Sequence, residues 1–336
     1  MTRIESLLAC TLAPLLVALF AVCSDGVAVA QSQTRWVLAN EYPATSLPGE
    51  GDAYFAKAVA ERVAGKLIVE VQADAKSGFK SREQLKAVAE GRLALADSFA
   101  GALGDENPIF LLSSLPFLAA NSEEARRLYD LAKPRYEAVL KGFSQKLLYS
   151  TPWPASGIWA KSAVDTPEAV AKLKIRTYDK TGTDLMTALG AAASVVSFAD
   201  LPAKLKAGEI DSVLSSGDGG AGRRLWEYLP YFTEINYAMP LSLTTVNLDA
   251  WNALDAATQK AVLQAAAETE ARQWQALDGR LAKNYERMHE NGMTITREVS
   301  PALAAKFKTA AQAAIAEWEA KSGAEGREIL ERFRTK

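Results

Sequence analysis

The stretch AKLKIRTYDKTGTDLMTALGAAASVVSFADLPAKLKAGEIDSV (171–213) alternates short apolar runs with segments of helical periodicity. It predicts strands at 173–177, 194–197 and 210–214, with a helix between each pair. Strands that alternate with helices form mainly parallel sheets whose faces are covered by those helices. The stretch therefore predicts an α/β fold.

The N-terminal half repeats this alternation. Strands are predicted at 35–43, 67–71 and 93–97, helices at 48–65 and from Ser81 to Gly91, and further strands at 146–150 and 156–160. Two successive blocks of this kind favour two α/β domains.

The C-terminal part is mainly helical. A helix at about 255–291 carries one apolar stripe and would be on the order of 50 Å long, enough to reach both domains. A strand at 293–299 and two more helices follow. The stripe consists of Trp274, Leu277, Leu281, Tyr285 and Met288.

The first thirty residues predict a secretory signal peptide. Arg3 precedes an apolar stretch at 7–22, and an A-x-A sequence predicts cleavage after Ala30. A membrane anchor is the alternative, but the apolar stretch is shorter than the roughly 20 residues of a span. A lipid anchor at Cys23 is a further alternative. Cleavage would remove both cysteines, Cys10 and Cys23, and leave a soluble, exported chain without thiols or disulfides.

Charge and motifs exclude several classes of function. The chain has 38 Lys and Arg against 40 Asp and Glu, without a basic block, so we expect no nucleic-acid partner. His289 is the only histidine, and no G-x-S-x-G or H-E-x-x-H motif occurs. We expect no catalytic residues, no metal and no cofactor, with a secreted enzyme kept as an alternative.

A G-x-G-x-x-G pattern occurs at Gly217, Gly219 and Gly222. A dinucleotide-binding loop would need an acidic residue about 20 positions later, but Ser242 stands there. Arg223-Arg224 also replaces the Lys-Ser/Thr of a phosphate-binding loop. We expect instead a flexible loop beside a ligand site, where Ser215, Ser216 and backbone N–H groups donate to ligand oxygens.

A series of short motifs occurs along the chain: Gly65-Lys66, Glu90-Gly91, Leu115-Pro116-Phe117, Lys174-Ile175-Arg176, Leu189-Gly190-Ala191, Ser197-Phe198-Ala199-Asp200, Leu205, Gly208, Asp211 and NLDAWNALDAATQKAVLQAA (247–266). The order and spacing of these motifs resemble the DctP-type solute-binding proteins of TRAP (tripartite ATP-independent periplasmic) transporters. The resemblance covers roughly residues 35–320.

The resemblance implies a two-lobed Venus-flytrap protein of the periplasm. It would close on an organic acid and deliver it to the small and large membrane subunits of a permease. We expect a monomer with lobe I at 31–153 plus 242–281 and lobe II at 154–241 plus 282–336. A binding protein of another transporter class, or a sensor, would share this architecture.

From the residues alone, a surface ion pair is the more common role for an arginine such as Arg176, but Arg176 matches the family's carboxylate-binding arginine. Guanidinium binds carboxylate through two parallel hydrogen bonds. The second arginine that many acid-binding members carry is absent from 156–160, which argues against a dicarboxylate. We predict a monocarboxylate with an apolar or aromatic body. Its other contacts would be Tyr42, Phe99, Trp153, Trp159, Tyr178, Phe198, Ser215, Ser216, Asn236 and Tyr237.

Overall fold

The computed structural model describes residues 33–335, so the predicted signal peptide and both cysteines lie outside the described residues. The chain forms two β-sheets with helices packed against them. The strands are β1 Thr34–Asn40, β2 Leu67–Gln72, β3 Leu95–Phe99, β4 Gln145–Pro152, β5 Ser156–Ala160, β6 Lys174–Thr177, β7 Ala192–Val195, β8 Ser212–Ser216, β9 Tyr231–Thr233, β10 Leu241–Asn247 and β11 Thr294–Thr296.

Ten α-helices and four short 3-10 turns connect these strands within residues 33–335. None of these helices is long and apolar enough to cross a membrane. The helices are α1 Leu47–Arg62, α2 Ser81–Ala89, α3 Ser122–Gly142, α4 Pro167–Val170, α5 Lys180–Ala188, α6 Leu201–Lys206, α7 Gly217–Gly222, α8 Leu248–Asn252, α9 Ala256–Glu290 and α10 Pro301–Arg334; the turns are Ala100–Leu103, Pro108–Ser114, Phe198–Asp200 and Leu225–Glu227.

The first sheet has the order β2-β1-β3-β10-β4 and the second the order β11-β9-β5-β8-β6-β7. β1, β2 and β3 run parallel, as do β6, β7 and β8. Each sheet is the centre of one lobe, and the predicted two-lobed α/β fold is confirmed. The exact lobe boundaries stay predictions.

The long helix is also confirmed. α9 has 35 residues and packs against α1 and β4 of the first lobe and against α7 and β11 of the second. Trp274, Leu277, Tyr285 and Met288 of its predicted apolar stripe are buried. The two closing helices appear as α10, which is broken at Gly323, where φ is 71°.

Several strand predictions were wrong or displaced. β9 and β10 were not predicted, although β10 lies inside the first sheet, antiparallel to β3 and β4. β8 lies two residues later than predicted, so Ser215 and Ser216 belong to the strand. β3 also begins two residues late, because Leu93 donates its backbone N–H to Ala87 in the turn after α2.

Two carboxyl groups are buried together in the first lobe. Asp52 in α1 accepts hydrogen bonds from Tyr149 Oη (2.7 Å) and Asn40 Nδ2 (2.6 Å). Among the described residues, neither carboxyl oxygen of Asp97 in β3 has a hydrogen-bond partner, and no cationic side chain lies within 4.0 Å of either acid. Burial raises the pKa of Asp97 to about 6 and that of Asp52 well above its usual range. The pair therefore favours a protonated carboxyl group at moderately acidic pH.

Candidate ligand-binding site

A small cavity of about 20 Å³ lies where the two lobes meet. Tyr42 and Phe99 reach it from the ends of β1 and β3, and Arg176 and Ser215 reach it from β6 and β8. Ligands of open α/β sheets bind beyond the carboxyl ends of the strands, where these residues lie. The complete lining is Tyr42, Phe99, Trp153, Ser156, Arg176, Tyr178, Phe198, Ser215, Ser216 and Pro240.

Arg176 supplies the positive charge of the cavity. Its side chain is only 2% exposed, and it donates from Nε to the Val196 carbonyl (2.8 Å) and from Nη1 to the Leu214 carbonyl (3.2 Å). These bonds use two of its five N–H groups. In residues 33–335 no carboxylate oxygen lies within 4.0 Å of its guanidinium.

The positive charge of Arg176 has no direct ion pair in the described residues. Burial lowers the pKa of Arg176, while the nearby Tyr42 and Glu41 act in the opposite direction. An arginine remains protonated despite such a shift, because the guanidinium group does not lose its proton in proteins. A buried cation without a carboxylate partner is costly, so an anion in the cavity would stabilise the closed form.

Aromatic rings form most of the wall around Arg176. The ring of Tyr42 lies 4.6 Å from that of Trp153 and 4.5 Å from that of Phe198, measured between centroids. Tyr178 lies 5.0 Å from Phe99 and donates from its hydroxyl to Ser156 Oγ (3.2 Å). The wall thus combines apolar faces with the hydroxyl groups of Ser156, Ser215 and Ser216.

Three predicted contact residues do not line the cavity. Trp159 is fully buried behind it, where Nε1 donates to the Ser216 carbonyl (3.3 Å). Tyr237 is also buried and lies behind Tyr178, with 6.2 Å between ring centroids. Asn236 is exposed and has a φ of 51°, so its side chain lies on the surface beside Glu234.

Sequence reasoning missed Ser156 and Pro240, which also line the cavity. Ser156 begins β5, three residues before Trp159, so that the two side chains point to opposite faces of the strand. The predicted strand at 156–160 could have indicated this difference. Only one face of a strand can line the cavity, so Ser156 and Trp159 cannot both line it. Pro240 comes directly before β10, which was not predicted.

The expected flexible glycine loop is instead the short helix α7. Its N-cap is Ser216, whose Oγ accepts the Gly219 N–H (3.1 Å), so this amide serves the helix rather than a ligand. Gly220 lies against the indole ring of Trp159, and Gly217 lies against Asn284 of α9. The glycines therefore permit close packing of α7.

Gly220→Ala is expected to lower the free energy of unfolding by roughly 1–3 kcal/mol, because the added Cβ would overlap Cζ2 and Cε2 of Trp159. Gly279→Ala is the matched control, since no atom lies within 4 Å of its added Cβ in the helix α9. That control is expected to gain up to about 1 kcal/mol. Urea unfolding of both variants measures the difference, and equal stabilities would contradict this packing role.

The two lobes, with an aromatic cavity and a buried cation between them, define a solute-binding protein. Residues 38–322 match the family described as bacterial extracellular solute-binding protein, family 7 (DctP). The chain belongs to this family, and the predicted relation to TRAP solute-binding proteins is confirmed.

Solved structures of similar proteins support this assignment. DctP6 of Bordetella pertussis, an extracytoplasmic solute receptor binding pyroglutamic acid, is 30% identical, with a TM-score of 0.86 over 90% of this chain and 100% of that chain. A TRAP solute-binding protein from a marine metagenome, specific for pyroglutamate, is 27% identical, with a TM-score of 0.86 over 90% and 99%.

One curated relative is an uncharacterized protein of Sinorhizobium fredii. It is 30% identical over 164 residues, which are 47% of this chain and 30% of that protein. The aligned segment thus spans less than a third of the length of that relative.

Proposed function

We propose that this protein captures a small monocarboxylate between its lobes in the periplasm and delivers it to the membrane subunits of a TRAP-type permease. The observation that carries the proposal is the buried guanidinium of Arg176, which has no carboxylate partner within 4.0 Å in the described residues. A ligand carboxylate would supply the missing negative charge through charge-assisted hydrogen bonds.

The shape and chemistry of the cavity favour a compact ring as the body of the ligand. The cavity of about 20 Å³ in this closed form is little larger than a water molecule needs, so a ligand must displace side chains of the wall. A compact molecule requires a smaller displacement than a large sugar acid. The aromatic faces would contact apolar ring atoms, and the serine hydroxyls would bond to one or two polar ring atoms. Pyroglutamate, a five-membered lactam with one carboxylate, has this pattern, and the two similar structures described above bind it.

The absence of a second cation in the described cavity lining argues against a dicarboxylate. Arg176 is the only charged residue among the lining residues, so a second carboxylate would lose its hydration without gaining an ion pair. We therefore expect monocarboxylates to bind more tightly than dicarboxylates of similar size.

Thermal unfolding of the mature protein tests this proposal, after unfolding and refolding to remove carried-over ligand. Pyroglutamate at 100 times its Kd should add about 2.7 kcal/mol to the stability of the folded state. For a chain of this size, this corresponds to a rise in Tm of several degrees.

Matched ligands separate the contributions of the functional groups. 2-Pyrrolidinone lacks the carboxylate, cyclopentanecarboxylate lacks the lactam, and glutamate is an open-chain dicarboxylate. We expect no shift with 2-pyrrolidinone, a reduced shift with cyclopentanecarboxylate and little shift with glutamate. A larger shift with neutral compounds or dicarboxylates than with any monocarboxylate would refute the proposed ligand class.

A further inference from the structure

A buried carboxylate connects the two lobes beside the cavity. Glu41 follows β1 and is 2% exposed. Its Oε2 accepts the backbone N–H of Ser81 at the start of α2 (2.9 Å), and its Oε1 accepts the backbone N–H of Ala199 (3.0 Å). Because α2 packs on the first sheet and Ala199 lies between β7 and β8 of the second, one carboxylate holds a backbone amide from each lobe.

An ion pair connects the same two segments. Lys80 Nζ donates to both carboxylate oxygens of Asp200, at 2.9 and 2.8 Å. The pair is partly exposed, with 38% and 41% of the two side chains accessible, so its own contribution is modest. Its hydrogen bonds raise the pKa of Lys80. Lys80 and Asp200 directly adjoin Ser81 and Ala199, so the ion pair reinforces the contact that Glu41 makes.

These contacts hold the turn that covers the cavity. The turn Phe198–Asp200 places the ring of Phe198 4.5 Å from Tyr42 and 5.7 Å from the guanidinium carbon of Arg176. Neither Glu41, Lys80 nor Asp200 lines the cavity itself. Their effect on a ligand would therefore act through the position of Phe198 rather than through direct contact.

We propose that Glu41, Lys80 and Asp200 form an interlobe clasp that sets the rate of ligand release. This inference rests on the proposed function, because it concerns the same cavity. Opening the cavity requires Phe198 to move away from Tyr42, which requires the hydrogen bonds of the clasp to break. Removing them speeds release. Ligand association takes place on the open form, so its rate changes only as far as the open fraction of the ligand-free protein changes.

Stopped-flow binding of pyroglutamate to single and double variants tests the clasp. Lys80→Met and Asp200→Asn are each expected to raise the release rate about 2- to 5-fold, and the double variant no further than the larger single effect. Glu41→Gln retains one acceptor oxygen and is expected to raise the release rate roughly 10- to 100-fold. Association rates should stay within about 2-fold for the Lys80 and Asp200 variants.

The matched control is Lys180→Met. Lys180 makes a similar two-oxygen contact with Asp184, at 2.8 and 2.6 Å, but both residues belong to α5 in one lobe. Its release rate should match that of the wild type. Tm measurements of the ligand-free variants separate a loss of the clasp from a loss of the fold. Release rates of the Glu41 and Lys80 variants equal to that of the wild type would overturn the proposal.

A second readout does not depend on the identity of the ligand. Because cleavage after Ala30 would leave no cysteine, spin labels can be placed on Glu70→Cys and Lys206→Cys, two exposed positions, one in each lobe. Glu41→Gln is expected to shift the distance distribution of the ligand-free protein towards longer distances. An unchanged distribution would overturn the clasp, whereas failure of every carboxylate to bind the wild type would overturn only the proposed function.

Discussion

Replacing Arg176 with methionine is expected to weaken the binding of a small monocarboxylate by roughly 30- to 3,000-fold. The ligand carboxylate would remain buried between the lobes without its cation, and this penalty is larger than the loss of an exposed ion pair. Isothermal titration calorimetry of the refolded wild type and the variant measures the ratio. The fold should survive, because the substitution removes a buried charge that has no carboxylate partner within 4.0 Å in residues 33–335.

Arg272→Met is the matched control for this substitution. Arg272 lies 5.0 Å above the ring of Tyr54, so the control also removes one positive charge and one contact with an aromatic ring, but outside the cavity. Its affinity should equal that of the wild type. Arg176→Lys should give an intermediate affinity, since an ammonium group keeps the charge but not the paired hydrogen bonds. Equal affinities of Arg176→Met and Arg272→Met would contradict the role of Arg176.

Replacing Asp97 with asparagine is expected to remove a loss of stability at high pH. Between pH 4 and pH 8, the free energy of unfolding of the variant should rise by roughly 2–3 kcal/mol relative to that of the wild type. Burial raises the pKa of Asp97 from an ordinary 3.8 to about 6 in the folded state. The stabilisation associated with the protonated carboxyl is fully present below about pH 4 and is lost as the pH rises through about 6. Asparagine does not ionise, so the variant avoids this loss.

Urea unfolding across this pH range measures the effect. Asp255→Asn is the control, because Asp255 caps α9 and its hydrogen bonds with Thr258 lower the pKa of this exposed carboxyl. The ionised form of Asp255 is favoured in the folded state, so its contribution is lost only as the pH falls below an ordinary pKa of 3.8. The difference between Asp255→Asn and the wild type should therefore change little between pH 4 and pH 8. Parallel stability curves for the wild type and Asp97→Asn would show that Asp97 stays ionised.

Hydrogen bonds connect the buried acid pair to the candidate site. Asn40 donates to Asp52 and accepts the backbone N–H of Tyr42 (2.7 Å), so the hydrogen bonds of the pair extend to a residue of the cavity wall. Spacing along the sequence could not predict this pair, because Asp52 and Asp97 lie in different elements and meet only after α1 packs on the first sheet.

The strand and helix pattern predicted the fold where the periodicity was regular. The blocks at 34–99 and 174–216, and the stripe on α9, follow the expected repeats. β10 was not predicted, because a β-bulge between Thr244 and Thr245 interrupts its alternation of apolar and polar residues. α7 was not predicted, because its glycine-rich sequence has little intrinsic helix propensity. The helix depends instead on packing against Trp159 and α9.

Of the residues predicted for the candidate site, Arg176 came from the family resemblance, and the aromatic residues and serines came from residue type and position near strand ends. Arg176, Tyr42, Phe99, Trp153, Tyr178, Phe198, Ser215 and Ser216 come together at one cavity. Trp159 and Tyr237 were expected there as aromatic residues near strand ends, but their side chains pack into the core instead. The interlobe contact of Glu41 could not be recognised from the sequence. Its two amide partners are distant along the chain and belong to different lobes.

The most direct test of the central claim is a crystal structure of the protein grown with the monocarboxylate that gives the largest thermal shift. We expect the ligand carboxylate at about 2.7–2.9 Å from the guanidinium nitrogens of Arg176, with its ring against the aromatic wall that includes Tyr42 and Phe198. A carboxylate bound to another cation, or a ligand outside the cavity between the lobes, would contradict the proposed site.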